Sequence, residues 1–195
     1  WGNLITCKTF HDIWLNEGFA RYCQALWWEH QNGEEAYFSF MNDHAYYGGG
    51  TIYVEYPLNN SAIFNSSLSY NKASWVLHML RHIVGDNTFF QILKEYGSSD
   101  SLAYNAAATS DFKNICESVS GLELDEFFEQ WIFGDYHPNY QLSWWSEVEG
   151  VYKVKIEQTQ STGYFSMPID IKLIGSQGPL AIDTTIVVNN SGSSQ

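Results

Sequence analysis

The stretch Trp1-Gly2-Asn3-Leu4-Ile5-Thr6, followed by Asp12-Ile13-Trp14-Leu15-Asn16-Glu17-Gly18-Phe19-Ala20, decides how the rest of the chain reads. From Asp12 to about Trp28 the apolar residues Leu15, Phe19, Tyr22 and Leu26 recur at helical intervals and draw a single stripe. At about 100° per residue, Glu17 falls on the opposite side, close to Arg21, Gln24 and Trp28, on a face that also carries Ile13, Trp14 and Ala20. Such a helix fits between a core and a cleft, where a carboxylate needs a cation or a metal to offset its desolvation. From the residues alone the plainer alternative stays open, an exposed i,i+4 pair with Arg21 worth a few tenths of a kcal/mol.

These two segments resemble the aminopeptidase N family of gluzincin zinc metallopeptidases. There, a helix bearing His-Glu-x-x-His runs into Trp-Gly-Asn-Leu-x-Thr and then into Trp-Leu-Asn-Glu-Gly-Phe-Ala. The resemblance implies that Glu17 is the third zinc ligand, and the family's spacing places the second His before Trp1. No His-Glu-x-x-His occurs within the sequence. In such sites two imidazoles one turn apart and a carboxylate from a second helix hold Zn²⁺, the fourth position stays open for water, and the Glu between the two His takes the water's proton. The implied protein is a fragment of a zinc-dependent aminopeptidase that removes N-terminal residues from peptides. With two His ligands and the general base absent, the chain by itself is expected to be inactive. The groove left beside Glu17 and Tyr70, lined by apolar side chains such as those around Trp14, is expected to favour self-association.

Further along, Glu34 to about His44 reads as a second helix, and Gly48 to Ser69, with its Gly run, Pro57 and Asn59-Asn60-Ser61, reads as loop. Ser69 begins a helix with Ala73, Val76, Leu77, Leu80 and Val84 at helical spacing, closed by Gly85. In the resembled family a Tyr-x-Lys-Gly motif opens such a helix, and its Tyr donates a hydrogen bond to the oxygen of the scissile carbonyl. Tyr70-Asn71-Lys72-Ala73 matches with Ala in place of Gly, which makes Tyr70 the candidate catalytic residue. A phenol stays protonated at neutral pH and can serve that role. Without the resemblance, Tyr70 is one more aromatic among 13 tyrosines. His78 and His82 stand four apart, but Met79, Leu80 and Arg81 between them supply no general base and Arg81 repels a cation, so they read as ordinary helix residues.

Helices are further expected from Asp86 to Tyr96, from Asp111 to Val119 behind a Thr109 or Ser110 cap, and from Leu124 to Phe133. Asp111-Phe112 and Phe127-Phe128-Glu129-Gln130-Trp131 resemble the end of the family's catalytic domain. After Tyr136-His137-Pro138 the period changes to two: Tyr152, Val154 and Ile156, then Ile169, Ile171 and Leu173, then Ile182, Thr184, Ile186 and Val188. The expected fold is mainly α. Residues 1–136 would form the C-terminal half of a thermolysin-like catalytic domain as a helical bundle, and 137–195 part of an antiparallel β-sandwich. Trp144-Trp145 suggests a carbohydrate platform, but neighbours on a strand face opposite ways and core packing is the plainer expectation.

The 195 residues carry a net charge of −13, a hydrophobic share of 45% and an aromatic share of 17%. These values argue for a packed globular chain and against a nucleic-acid partner, which needs a basic footprint. No apolar run is long enough to span a membrane. Cys7, Cys23 and Cys116 have no C-x-x-C spacing and an odd count; they read as buried free thiols, with one disulfide and one leftover thiol as the alternative. Two other functions remain open at this level: a binding or scaffold protein that kept the fold without the metal, and an aromatic-rich carbohydrate-binding protein. The compartment is unknown, although the Tyr-, Asn- and Ser-rich sequence resembles exported bacterial members, periplasmic or secreted.

Overall fold

The computed structural model describes residues 1–174 and 183–190. The chain divides into two units, Trp1–Tyr136 and His137–Gln195. In the first unit the order is β1 (Ile5–Cys7), a 3₁₀ turn (Phe10–Asp12), α1 (Trp14–Asn32), α2 (Glu34–Asp43), α3 (Asn60–Ile63), a π-helical turn (Ser66–Lys72), α4 (Ala73–Val84), α5 (Asp86–Ser98), β2 (Asn105–Ala107), α6 (Thr109–Ser120), α7 (Asp125–Phe128) and a second π turn (Glu129–Phe133). The second unit holds β3 (Tyr140–Val148), β4 (Val151–Gln158), β5 (Met167–Ile174) and β6 (Asp183–Asn190).

The stripe read from the sequence is the buried side of α1: Leu15, Phe19 and Tyr22 are buried, and Phe19 meets Trp1, Trp14, Tyr96 and Phe112 ring against ring. The helix starts at Trp14 rather than Asp12 because the Asp12 carboxylate is used elsewhere. Its Oδ1 accepts from the Thr109 N–H at 3.0 Å and the Thr109 hydroxyl at 2.8 Å, and its Oδ2 accepts from Thr9 at 3.0 Å. The Thr109 hydroxyl in turn accepts from the Trp14 indole at 2.9 Å. The first turn of α6 is therefore capped by a carboxylate from the other end of the unit, satisfying an otherwise orphaned N–H. Beside it, β1 and β2 pair in parallel, Ile5 opposite Asn105 and Cys7 opposite Ala107.

Gly85 separates α4 from α5 with φ +79°, a conformation that side chains resist, so the two helices turn there without a longer loop. Arg81 staples the same corner. It forms two bonds to Glu29 of α1 (2.9 and 3.0 Å) and two to Asp86 of α5 (2.8 and 2.9 Å), with Phe90 and Tyr37 against its guanidinium faces. The segment after α2, read from sequence as loop, contains α3 and the start of the π turn. It is tied down at several points: the Val54 carbonyl receives His11 Nδ1 at 2.6 Å, the Tyr53 N–H reaches the Ile132 carbonyl at 3.0 Å, and Lys72 Nζ donates to the Gly50 carbonyl at 2.8 Å. Lys72 is 5% exposed, and burial lowers its pKa to about 8 against the opposing pull of Asp135.

His78 is spent inside the core. The Tyr22 and Tyr37 hydroxyls share a hydrogen bond of 3.0 Å, and Tyr37 continues it to His78 Nδ1 at 2.6 Å. Burial, then the charges of Arg81 and His82, lower the His78 pKa to about 4. The folded value lies below the ordinary 6.5, so this group's contribution to stability is complete above about pH 6.5 and is lost as pH falls through about 4. The loss over that window is expected to approach about 3 kcal/mol. Urea unfolding at pH 7 and pH 4.5 checks it: the drop in His78→Gln should be smaller than in the unsubstituted protein, and equal drops would exclude His78 as the cause.

In the second unit β3 and β4 form an antiparallel hairpin, Leu142 opposite Ile156 and Trp144 opposite Val154, with an irregularity between Ser146 and Val148. β5 and β6 form another, Met167 opposite Asn190 and Ile174 opposite Asp183. Ile156, Gln158 and Phe165 are buried, and the Gln158 amide closes on the Phe165 backbone with two hydrogen bonds of 2.7 and 2.9 Å. Core packing of Trp144 and Trp145 is not what the structure has: they are 67% and 45% exposed, as both faces of β3 are, and the Trp144 ring meets that of Tyr152, diagonal to it on β4, at 6.1 Å. Residues 175–182, Ile182 among them, and 191–195 lie outside the described residues. The second unit is antiparallel β and the first mainly α, as expected.

Candidate metal centre

Glu17 lies in the first turn of α1, half-buried, and Tyr70 lies on the π turn that leads into α4. The structure brings the two together. Burial raises the Tyr70 pKa, and the nearby Glu17 carboxylate raises it further; the Arg21 cation works the other way. The phenol therefore keeps its proton beside the carboxylate. Asn65 sets the π turn, its Oδ1 accepting from the N–H groups of Ser67 (3.0 Å) and Leu68 (3.2 Å). Wide turns of this type often occur where a helix must re-aim a side chain.

The i,i+4 pair with Arg21 considered for Glu17 does not form. Arg21 instead donates Nη1 to Gln24 Oε1 (3.2 Å) and to His44 Nε2 (3.1 Å), with its guanidinium carbon 5.9 Å from the Tyr70 ring centroid. Sequence reasoning saw Arg21 only as a partner for Glu17 and gave His44 no role. Nothing in residue spacing signals a contact between α1 and the end of α2. Trp14, expected beside an apolar groove, is 1% exposed and seated between Phe19 and Phe112, so it lines no open surface.

The approach of α1 to α4 is set by Gly18. A Cβ there would stand 2.5 Å from the Ala73 Cβ, so Ala73 occupies space that Gly18 leaves free. Gly18→Ala is expected to push the helices apart and destabilise the protein by about 1–3 kcal/mol. Adding Ala73→Gly should recover most of that loss in urea unfolding; no recovery would mean the strain arises elsewhere.

A half-buried carboxylate near a phenol, with no cation bonded to it among the described residues, fits one oxygen ligand of a zinc site. Elsewhere among the described residues, Glu117, Glu123 and Asp125 also converge. Lys113 pairs with Asp125 and stands 3.7 Å from Glu117, which supplies that cluster's positive charge. Cys7, Cys23 and Cys116 are free thiols, and burial raises the Cys116 pKa. No helix among the described residues is long and apolar enough to cross a membrane.

Comparison with known proteins places this arrangement in a class. Residues 1–131 match the Peptidase family M1 domain. Aminopeptidase N of Lactococcus lactis is 29% identical over 143 residues, which is 67% of this chain and 17% of that protein. An M1 zinc metallopeptidase from Deinococcus radiodurans, solved as a mutant bound to a Tyr-Ser-Ala substrate, superposes with a TM-score of 0.54 at 25% identity over 70% of this chain and 31% of its own. Aminopeptidase A of Legionella pneumophila, in complex with aspartic acid, shares the fold alone: TM-score 0.74 at 16% identity, covering 97% of this chain and 22% of that one. The chain thus spans about a sixth of the first curated relatives. It belongs to peptidase family M1.

Proposed function

We propose that this chain is the later part of the catalytic domain (residues 1–136) and the first part of a β-sandwich (137–195) of a zinc-dependent aminopeptidase, which removes N-terminal residues from peptides. The observation that carries it is the nearness of Glu17 and Tyr70, from the two segments that resemble the gluzincin pattern: Arg21, one turn beyond Glu17 on α1, lies 5.9 Å from the Tyr70 ring centroid, and the Glu17 charge raises the Tyr70 pKa. Glu17 would supply one carboxylate ligand to zinc; the other ligands and the general base come from a His-Glu-x-x-His that these 195 residues do not contain. Zinc, when bound, supplies Lewis acidity toward the peptide carbonyl and acidifies water. Tyr70 donates its O–H to the carbonyl oxygen as negative charge develops there, an interaction stronger in the transition state than in the bound peptide. The packing of Gly18 on Ala73 sets how closely α1, which carries Glu17, approaches α4, which follows the π turn carrying Tyr70.

The test compares the full-length protein with these 195 residues alone. In equilibrium dialysis the full-length protein should take up stoichiometric zinc and cleave aminoacyl-nitroanilides, and the shorter chain should do neither, because one carboxylate cannot hold Zn²⁺ against water. Stoichiometric zinc and turnover by the shorter chain would show that Glu17 is not part of a divided site. A full-length protein that binds no zinc would instead be a scaffold of the same fold.

A further inference from the structure

We propose that Arg21 is a positioning residue for Tyr70, holding the phenol ring by its face while His44 anchors the guanidinium. The inference rests on the assignment of Tyr70 as donor to the substrate carbonyl and adds to it the group that aims the donor. Arg21 stands one helical turn beyond Glu17, with its guanidinium carbon 5.9 Å from the Tyr70 ring centroid, within cation–π range. Its hold comes from elsewhere: Nη1 donates to Gln24 and to His44 Nε2. His44 is itself fixed, since Nδ1 bonds the Phe40 carbonyl at 2.8 Å and the ring lies 4.3 Å from the Phe40 ring. A carbonyl only accepts, so Nδ1 carries the proton and Nε2 offers its lone pair to Arg21. Contact thus runs from the end of α2 through His44 and Arg21 to Tyr70. Glu17 and Arg21 approach Tyr70 from successive turns of the one helix α1, the guanidinium against the ring, while the second element, the end of α2, supplies the anchor through His44. A Lys would keep the charge but lose the flat face and part of the anchor.

The test uses the full-length, zinc-loaded protein. Arg21→Met is expected to lower kcat about fivefold to tenfold, with KM within about twofold, zinc content unchanged and Arg21→Lys intermediate. Affinity for a phosphinic dipeptide, measured by calorimetry, should fall by about the same factor as kcat. In a Tyr70→Phe background Arg21→Met should cost nothing further, because the group it aims is gone. If Arg21→Met does not fold, His44→Phe, which leaves the cation but removes its anchor, reads the same coupling. Unchanged kcat in a folded, zinc-loaded variant, or an equal loss with and without the Tyr70 hydroxyl, overturns the proposal while leaving the role of Tyr70 intact. Full kcat in Tyr70→Phe alone removes the role of Tyr70 and, with it, that of Arg21.

Discussion

Replacing Tyr70 by Phe in the full-length protein is expected to lower kcat by about 10²-fold or more while zinc stays bound. The substitution deletes one oxygen and keeps the ring, so the face toward Arg21 and the packing of the π turn survive. What it removes is a donor whose proton is retained by burial and by the adjacent Glu17 carboxylate, and such a donor acts only when charge builds on the substrate oxygen. The loss should therefore appear in kcat rather than in KM. Stopped assays on an aminoacyl-nitroanilide with parallel zinc determination check it, and undiminished turnover in Tyr70→Phe would discard the oxyanion role.

The second large effect belongs to Glu17. Glu17→Gln keeps the side chain's shape but replaces the anionic group proposed as a zinc ligand with a neutral amide. Losing a partner outside the ligand shell typically weakens metal binding by about 10- to 100-fold, so losing the ligand's charge should weaken zinc by at least about 100-fold. Competition with a chromophoric chelator measures this directly. The pair of variants is diagnostic: zinc loss in Glu17→Gln with retention in Tyr70→Phe separates a ligand from a donor, and equal loss in both would dissolve the distinction.

The helices were legible wherever an apolar stripe met a capping signal. Leu15, Phe19 and Tyr22 announced α1, and Gly85 announced the break between α4 and α5, because periodicity and local backbone preference act within a few residues. The proposal for Glu17 and Tyr70 came from resemblance; a carboxylate and a phenol carry no spacing rule that joins α1 to the π turn. Contacts between distant segments left no local trace. The three-residue strands β1 and β2 are too short to show alternation, and their pairing spans the unit. Asp12 looked like the start of α1, yet its carboxylate serves Thr109, a choice made by tertiary structure against local preference. Arg21 satisfied the i,i+4 rule on paper and turned to His44 instead, since an exposed pair gains little and an anchored guanidinium against a ring gains more.

That carboxylate at Asp12 also bears on the order in which the chain can fold. It holds the Thr109 amide across 97 residues, so the first turn of α6 lacks its acceptor until both ends of the unit have met. Closing a loop of that size costs entropy before any contact repays it. During synthesis α1 emerges before α6, and the Asp12 Oδ1 and Trp14 indole bonds to Thr109 can form only once that later segment exists. The contacts that fix the start of α6 to Asp12 and Trp14 are thus as long-range in sequence as the β1–β2 pairing beside them.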